Sequence, residues 1–255
     1  MKIVWSLLAL LALGYAGICA LMYFKQRDVI YYPQFTRADK ADTDFSLDRG
    51  DATLRGWIVN SGKPRAMVYF GGNGESVQNN REDFARWFPD RTAYLVAYRG
   101  YGASDGYPSE QAIFTDALAV FDRAQSEHPG QPVSVVGRSL GSGVAAYVAS
   151  KRPVERLILV TPFDSLADVG QAHYPWLPVK WLSKDRYDSV SHLERYERPL
   201  LIVQAGRDEV IPSANTARLI ASLRKPPQVA MLPKAGHNGL NDDPAYGKAL
   251  SDFLR

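Results

Sequence analysis

The 255-residue chain has one cysteine, four histidines and four methionines. The lone Cys19 lies in an apolar N-terminal run, which leaves the rest of the chain without a disulfide or a cysteine-based metal site. The net charge of +3 is scattered along the chain, and no block of lysines and arginines offers a nucleic-acid-binding surface. Internal repeats and low-complexity stretches are absent. So is a G-x-x-x-x-G-K-[ST] pattern. The glycine-rich Gly71-Gly72-Asn73-Gly74-Glu75 is therefore not read as a phosphate cradle, and Glu75 would set a negative charge beside any phosphate.

Charge is also missing from Ile3 to Phe24, with Lys2 before the run and Lys25 and Arg27 after it. As a helix this run is about 33 Å long, enough for a hydrocarbon core of ~30 Å. Residues 1–27 are read as an uncleaved single-span membrane anchor. A cleaved signal peptide is the alternative, with Gly14-Tyr15-Ala16 and Ile18-Cys19-Ala20 as its cleavage sites. Lys25, Arg27, Arg37 and Lys40 outnumber Lys2 plus the amino terminus, which leans the following domain toward the cytoplasm. Asp28 to Pro33 is expected to leave the membrane as an extended segment.

Residues 28–255 fit one α/β domain. Phe45–Leu47 and Thr53–Val59 read as a hairpin turning at Arg49-Gly50-Asp51. From Ala66 onward, strands (Ala66–Phe70, Thr92–Tyr98, Pro132–Val136, Leu157–Thr161, Leu200–Gln204, Gln228–Leu232) alternate with helical patterns at Glu82–Phe88, Ser109–Ser126, Ser213–Leu223 and Pro244–Leu254. This predicts an eight-stranded, mostly parallel sheet with an antiparallel start and helices on both faces. Phe163 to Arg198 interrupts the alternation. Its prolines forbid a long helix, and its aromatics must pack on something, so it reads as a small cap rather than a plain surface excursion.

Gly137-Arg138-Ser139-Leu140-Gly141 joins a buried strand to a helix of small residues. A serine on so sharp a strand-to-helix turn needs neighbours two before and two after that are nearly devoid of side chain, and its hydroxyl then stands at the carboxyl edge of the sheet. Gly102-Ala103-Ser104-Asp105-Gly106 has the same spacing, but Tyr107-Pro108 follows and no helix opens at Ser104. Ser139 is therefore read as the nucleophile and Ser104 as a loop residue. Of the histidines, His128 reads as a helix C-cap and His173 and His192 as surface groups. His237, in the Ala235-Gly236-His237-Asn238-Gly239 loop after the last strand, is the general base. Asp208, after Leu200–Gln204, is the orienting acid, with Glu209 and Asp164 as competitors. The oxyanion hole is assigned to the backbone N–H groups of Leu140 and Asn73.

Together these stretches resemble the α/β-hydrolase superfamily of serine hydrolases, and within it a membrane-anchored subgroup whose animal relatives include protein depalmitoylases. The resemblance rests on Phe70-Gly71-Gly72-Asn73, Tyr98-Arg99-Gly100-Tyr101-Gly102, the Ser139 pentapeptide, Gly206-Arg207-Asp208-Glu209-Val210-Ile211-Pro212 and Gly236-His237. It implies an α/β-hydrolase fold and hydrolysis of an acyl ester or thioester by Ser139, Asp208 and His237. It implies no metal or organic cofactor; the partners are the acyl substrate and, through the N-terminal segment, a lipid bilayer. A peptidase on the same fold and a catalytically silent binding protein are the rival readings. Relatives usually show His-Gly where this chain has Gly71-Gly72.

Overall fold

The computed structural model describes residues 1–255. In chain order the elements are α1 (Lys2–Ile30), β1 (Phe45–Asp48), β2 (Thr53–Val59), β3 (Arg65–Phe70), α2 (Arg81–Trp87), β4 (Arg91–Val96), α3 (Glu110–Glu127), β5 (Val133–Arg138) and α4 (Leu140–Lys151). There follow β6 (Leu157–Val160), α5 (Leu166–His173), α6 (Val179–Leu182), α7 (Ser189–Leu193), β7 (Leu200–Arg207), α8 (Ser213–Ser222), β8 (Gln228–Gly236) and α9 (Pro244–Leu254).

The eight strands form one sheet in the order β1-β2-β4-β3-β5-β6-β7-β8. β1–β2 and β2–β4 pair antiparallel, and every later pair is parallel. The central strands β4, β5 and β6 are buried along almost their whole length. That is why they read as continuous apolar runs rather than as alternating ones. α2 packs with α9, while α3, α4, α7 and α8 form a separate series, so that helices lie against both faces. The helix-to-helix fit is tight where glycines permit it: a Cβ on Gly247 of α9 would lie 2.2 Å from the Trp87 ring of α2.

Two local expectations need correction. The chain does not become extended at Asp28; α1 continues to Ile30 and ends at Tyr31, whose backbone is extended, two residues before Pro33. Nothing from Lys25 to Ile30 breaks a helix, and Lys25 pairs with Asp28 one turn on at 3.1 Å. Residues 163–198 hold the three short helices α5, α6 and α7, as expected of a cap whose prolines forbid a long one. Finally, His192 is not a simple surface group. Its ring lies edge-on to Phe114 and Tyr147, and burial pushes it toward the neutral form.

Candidate active site

Strand pairing brings the site together. β7 and β8 pair as far as Arg207 and Gly236, so Asp208 and His237 are the next residues on adjacent strands. Gly206 permits this final pairing, since a Cβ there would lie 2.5 Å from the Pro233 carbonyl oxygen. On β5 the last strand residue is Arg138, paired with Val160, and the Ser139 N–H donates to the Val160 carbonyl at 2.8 Å.

Ser139 occupies φ 49°, ψ −118°, a conformation that ordinary side chains avoid. The two glycines around it are there for contact. A Cβ on Gly137 would stand 2.2 Å from the Gly141 carbonyl oxygen, and one on Gly141 would stand 2.1 Å from that of Phe70. The helix α4 can therefore start directly against the end of β3. Its first amide, Leu140 N–H, belongs to the turn that has no acceptor within the helix.

His237 Nε2 lies 2.9 Å from Ser139 Oγ, and its Nδ1 lies 2.9 Å from Asp208 Oδ2 and 3.0 Å from Oδ1. All three groups are nearly out of solvent. Burial raises the Asp208 carboxyl, but hydrogen bonds from His237 and from the Ile211 and Val210 amides outweigh it and hold the carboxyl below the ordinary carboxylate value. An ionised Asp208 favours the tautomer in which Nδ1–H donates to it, and in that tautomer the Nε2 lone pair faces the serine hydroxyl.

The competitors are occupied elsewhere. Glu209 accepts from the backbone N–H of His237 at 3.2 Å, not from its ring. Asp164 is buried beneath Asn215 (2.7 Å) and Arg218 (2.6 Å). Ser104 is a buried structural group, accepting from Arg55 N–H and donating to the Ala97 carbonyl. His128 caps α3 and contacts Tyr94, while His173 Nε2 lies 2.8 Å from the Val210 carbonyl, tying α5 to the Asp208 loop.

Asn73 follows β3 on an exposed turn, where its backbone N–H makes no hydrogen bond within the protein. Its side-chain oxygen accepts from Tyr101 OH at 2.9 Å, and that hydroxyl accepts from Tyr32 N–H at 3.2 Å. The neighbouring Gly72 faces Ser139: a Cβ on it would lie 3.5 Å from Ser139 Cβ.

Two residues with a part in this geometry escape sequence reasoning. Glu75 accepts from Gly72 N–H at 2.6 Å, Tyr69 OH at 2.6 Å and Asn80 Nδ2 at 2.7 Å. It also faces Arg138 at 3.6 Å, whose other end donates to the His237 carbonyl at 3.2 Å. Burial disfavours the Arg138 charge, yet Glu75 and its neighbours more than restore it. One carboxylate and one guanidinium thus join the Asn73 turn, the serine turn and the histidine loop. The only sequence signal was an acid three residues after Gly72 and a cation beside the serine.

Comparison with known proteins agrees with this architecture. The Hydrolase_4 family, described as serine aminopeptidase, S33, matches residues 62–184. An uncharacterized protein of Mycobacterium tuberculosis, MT2364, is 31% identical over 97% of this chain and 92% of its own length. The lysophosphatidylserine lipase ABHD12 of Danio rerio is 29% identical over 62% of this chain and 49% of its own. Among solved structures, Est1E from Butyrivibrio proteoclasticus with ferulic acid bound superposes with a TM-score of 0.67 at 16% identity, over 82% of this chain and 97% of that one. With its sheet order, its strained serine turn and a full-length relative at this identity, the chain belongs to the α/β-hydrolase superfamily.

Proposed function

We propose that this hydrolase is a membrane-anchored serine esterase or thioesterase that works through Ser139, His237 and Asp208. The observation that carries the reading is the unbroken relay of Asp208, His237 and Ser139 at 2.9 Å per link, ending on a strained serine. Ser139 Oγ attacks the acyl carbonyl carbon while His237 Nε2 takes its proton, and Asp208 stabilises the imidazolium. The carbonyl oxygen becomes an alkoxide held by the N–H groups of Asn73 and Leu140. Collapse breaks the bond to the leaving alcohol or thiol, which receives the proton from His237. Water then enters, gives its proton to His237 and attacks the acyl-enzyme, releasing the carboxylic acid and restoring Ser139.

The lipase name of one relative and the ferulate ligand of one structural neighbour favour esters. The serine aminopeptidase description of the matching family favours a second reading, a peptidase. An aminopeptidase needs an uncommitted carboxylate near the serine to hold a substrate ammonium. Here both oxygens of Glu75 and of Asp208 already accept protein donors, and Glu209 accepts the His237 N–H through Oε2, which favours the ester reading. We read α1 as the anchor because it is apolar, exposed and long enough to cross a bilayer. The cationic flank from Lys25 to Lys40 supports a cytoplasmic side for the catalytic domain.

Fluorophosphonate labelling of the full chain, with acyl esters, thioesters and peptide amides as competitors, tests this. Labelling and ester turnover disappear in Ser139→Ala and persist in Ser104→Ala. Labelling that survives Ser139→Ala refutes the assignment.

A further inference from the structure

α1 does more than lead away from the domain. Its last turn is fastened to the cap: Gln26 bridges the Leu182 carbonyl and the Lys184 N–H, and Arg27 holds the buried Asp185 at 2.9 Å. The contact then continues down the helix. An apolar slot of about 170 Å³ separates Met22, Val29 and Ile30 of the helix from Leu166, Val169 and Leu182 of the cap. Below it, Tyr15 OH donates to the Trp176 carbonyl at 2.9 Å.

This contact conflicts with a cap that sits in water. Tyr15 lies about 15 Å along the helix from Lys25, at ~1.5 Å per residue. If the helix from Tyr15 onward stayed in solvent with the cap, Lys2 to Gly14 would have to cross the bilayer alone. That piece is about 20 Å long, against a hydrocarbon core of ~30 Å. With the whole of Ile3–Phe24 in the bilayer, Trp176 lies below the level of Lys25.

The cap segment Tyr174–Leu182 is suited to that environment in two independent ways. The first is composition: its only charge is Lys180, paired with Asp168, while Trp176 and Trp181 stand 57% and 89% exposed. The second is its backbone. In hydrocarbon every peptide group needs a protein partner, and irregular chain is tolerated only where it has them. The Leu177 and Val179 amides donate to the carbonyls of Tyr174 and Leu177, and Gln171 Nε2 shares its two hydrogens among those two and Pro175. Tyr15, Arg186 and Gln26 cover Trp176, Lys180 and Leu182. Amides of the following turn cover Pro178 and Val179. Trp181 alone keeps a free carbonyl, and of the amides only Trp176 and Lys180 have no protein acceptor. A loop facing water has no need of such coverage.

We propose that Tyr174–Leu182 is a membrane-docking surface, immersed beside α1 in the same leaflet, with Trp176 and Trp181 in contact with lipid. Lys180 and Lys184 reach back toward the headgroups; Lys184 Nζ already lies 4.0 Å over the Tyr23 ring. The inference rests on the anchor reading of α1. It makes the cap, and with it the His173 contact to the Asp208 loop, part of the membrane-bound face of the enzyme.

The test uses the full chain in phosphatidylcholine vesicles, with lipid brominated near the top of its acyl chains as one quencher and aqueous iodide as the other. Trp5→Phe, Trp176→Phe and Trp181→Phe each identify one tryptophan by the emission that is lost. These side chains are all exposed, so the substitutions leave the fold intact. We expect bromolipid, not iodide, to quench the emission assigned to Trp176 and Trp181, as it does that of Trp5. Quenching of Trp176 and Trp181 by iodide alone, with Trp5 still quenched by bromolipid, overturns the docking surface and keeps the anchor. If Trp5 also escapes bromolipid, the anchor fails and the docking surface with it.

Discussion

Replacing Glu75 by glutamine isolates the part that holds the Asn73 turn. The carboxylate is 12% exposed and accepts three short hydrogen bonds while facing Arg138. Glutamine keeps one acceptor oxygen and turns an NH₂ toward donors that are already there. A hydrogen bond to a charged group contributes about 1.5–3 kcal/mol, and stripping one partner from a buried ion pair costs about 3–5 kcal/mol. Arg138 retains the His237 carbonyl, and the two losses overlap, so a net destabilisation of about 2–3 kcal/mol is expected. For a domain of this size that lowers Tm by roughly 4–12 °C. Catalysis should fall further than stability alone explains. Removing an oxyanion donor outright costs about 10²–10³ in kcat, so loosening the turn that carries Asn73 should cost about 10–10². KM should change by less than about threefold, because the contact matters most when charge develops on the substrate oxygen. The assay is kcat and KM on a short-chain p-nitrophenyl ester, beside a melting curve. A variant that melts early yet keeps kcat within about twofold would make Glu75 a structural residue only and refute the reasoning.

Much of the fold was legible because burial on both faces writes parallel strands as apolar runs, and glycine marks where backbones collide. Gly137 and Gly141 are forced by contacts under 2.3 Å, so the serine pentapeptide could be told from its neighbour at Ser104, where no helix follows. The positions of Asp208 and His237 were legible from strand ends, and the Arg207–Gly236 pairing makes them neighbours. What stayed hidden were long-range polar contacts. Nothing local to Glu75 announces Arg138, and nothing in Gln26 or Arg27 announces a cap more than a hundred and fifty residues away. The end of α1 was misread for the same reason: its last turn is held by tertiary contacts with the cap rather than by a capping residue. His192 was misread because its aromatic partners come from α3 and α4, far away in sequence.

Further expectations follow from the same geometry. Asp208→Asn should lower kcat by about 10⁴, the loss known for the matching change in a serine protease, while Asp164→Asn mainly lowers Tm. Because the folded Asp208 carboxyl titrates below its ordinary value of about 3.9, its stabilising contribution is present above that pH and lost as pH falls through the folded value. The stability gap between wild type and Asp208→Asn should therefore stay level from neutral pH down to about 5 and narrow below about 4, as read by calorimetry. Gly141→Ala should unfold the chain or cost about 3 kcal/mol or more, since its Cβ meets the carbonyl oxygens of Phe70 and Gly71 at the end of β3, whereas Gly17→Ala, with nothing within 4 Å, should leave Tm unchanged. The last expectation concerns where the domain begins. A chain starting at Asp28 loses Arg27, the cation on Asp185, whose carboxylate is 3% exposed and would keep only the Tyr31 hydroxyl. It also loses Gln26 and its two contacts with the cap. Arg27 is half-exposed, so the pair is partly screened, and the combined cost is about 2 kcal/mol. A chain starting at Lys25 should then melt about 4–8 °C above one starting at Asp28, with equal kcat on a soluble ester, because both keep Tyr32 and its link through Tyr101 to Asn73. Equal melting temperatures would mean that the last turn of α1 adds nothing to the domain, and the fastening of helix to cap would have to be abandoned.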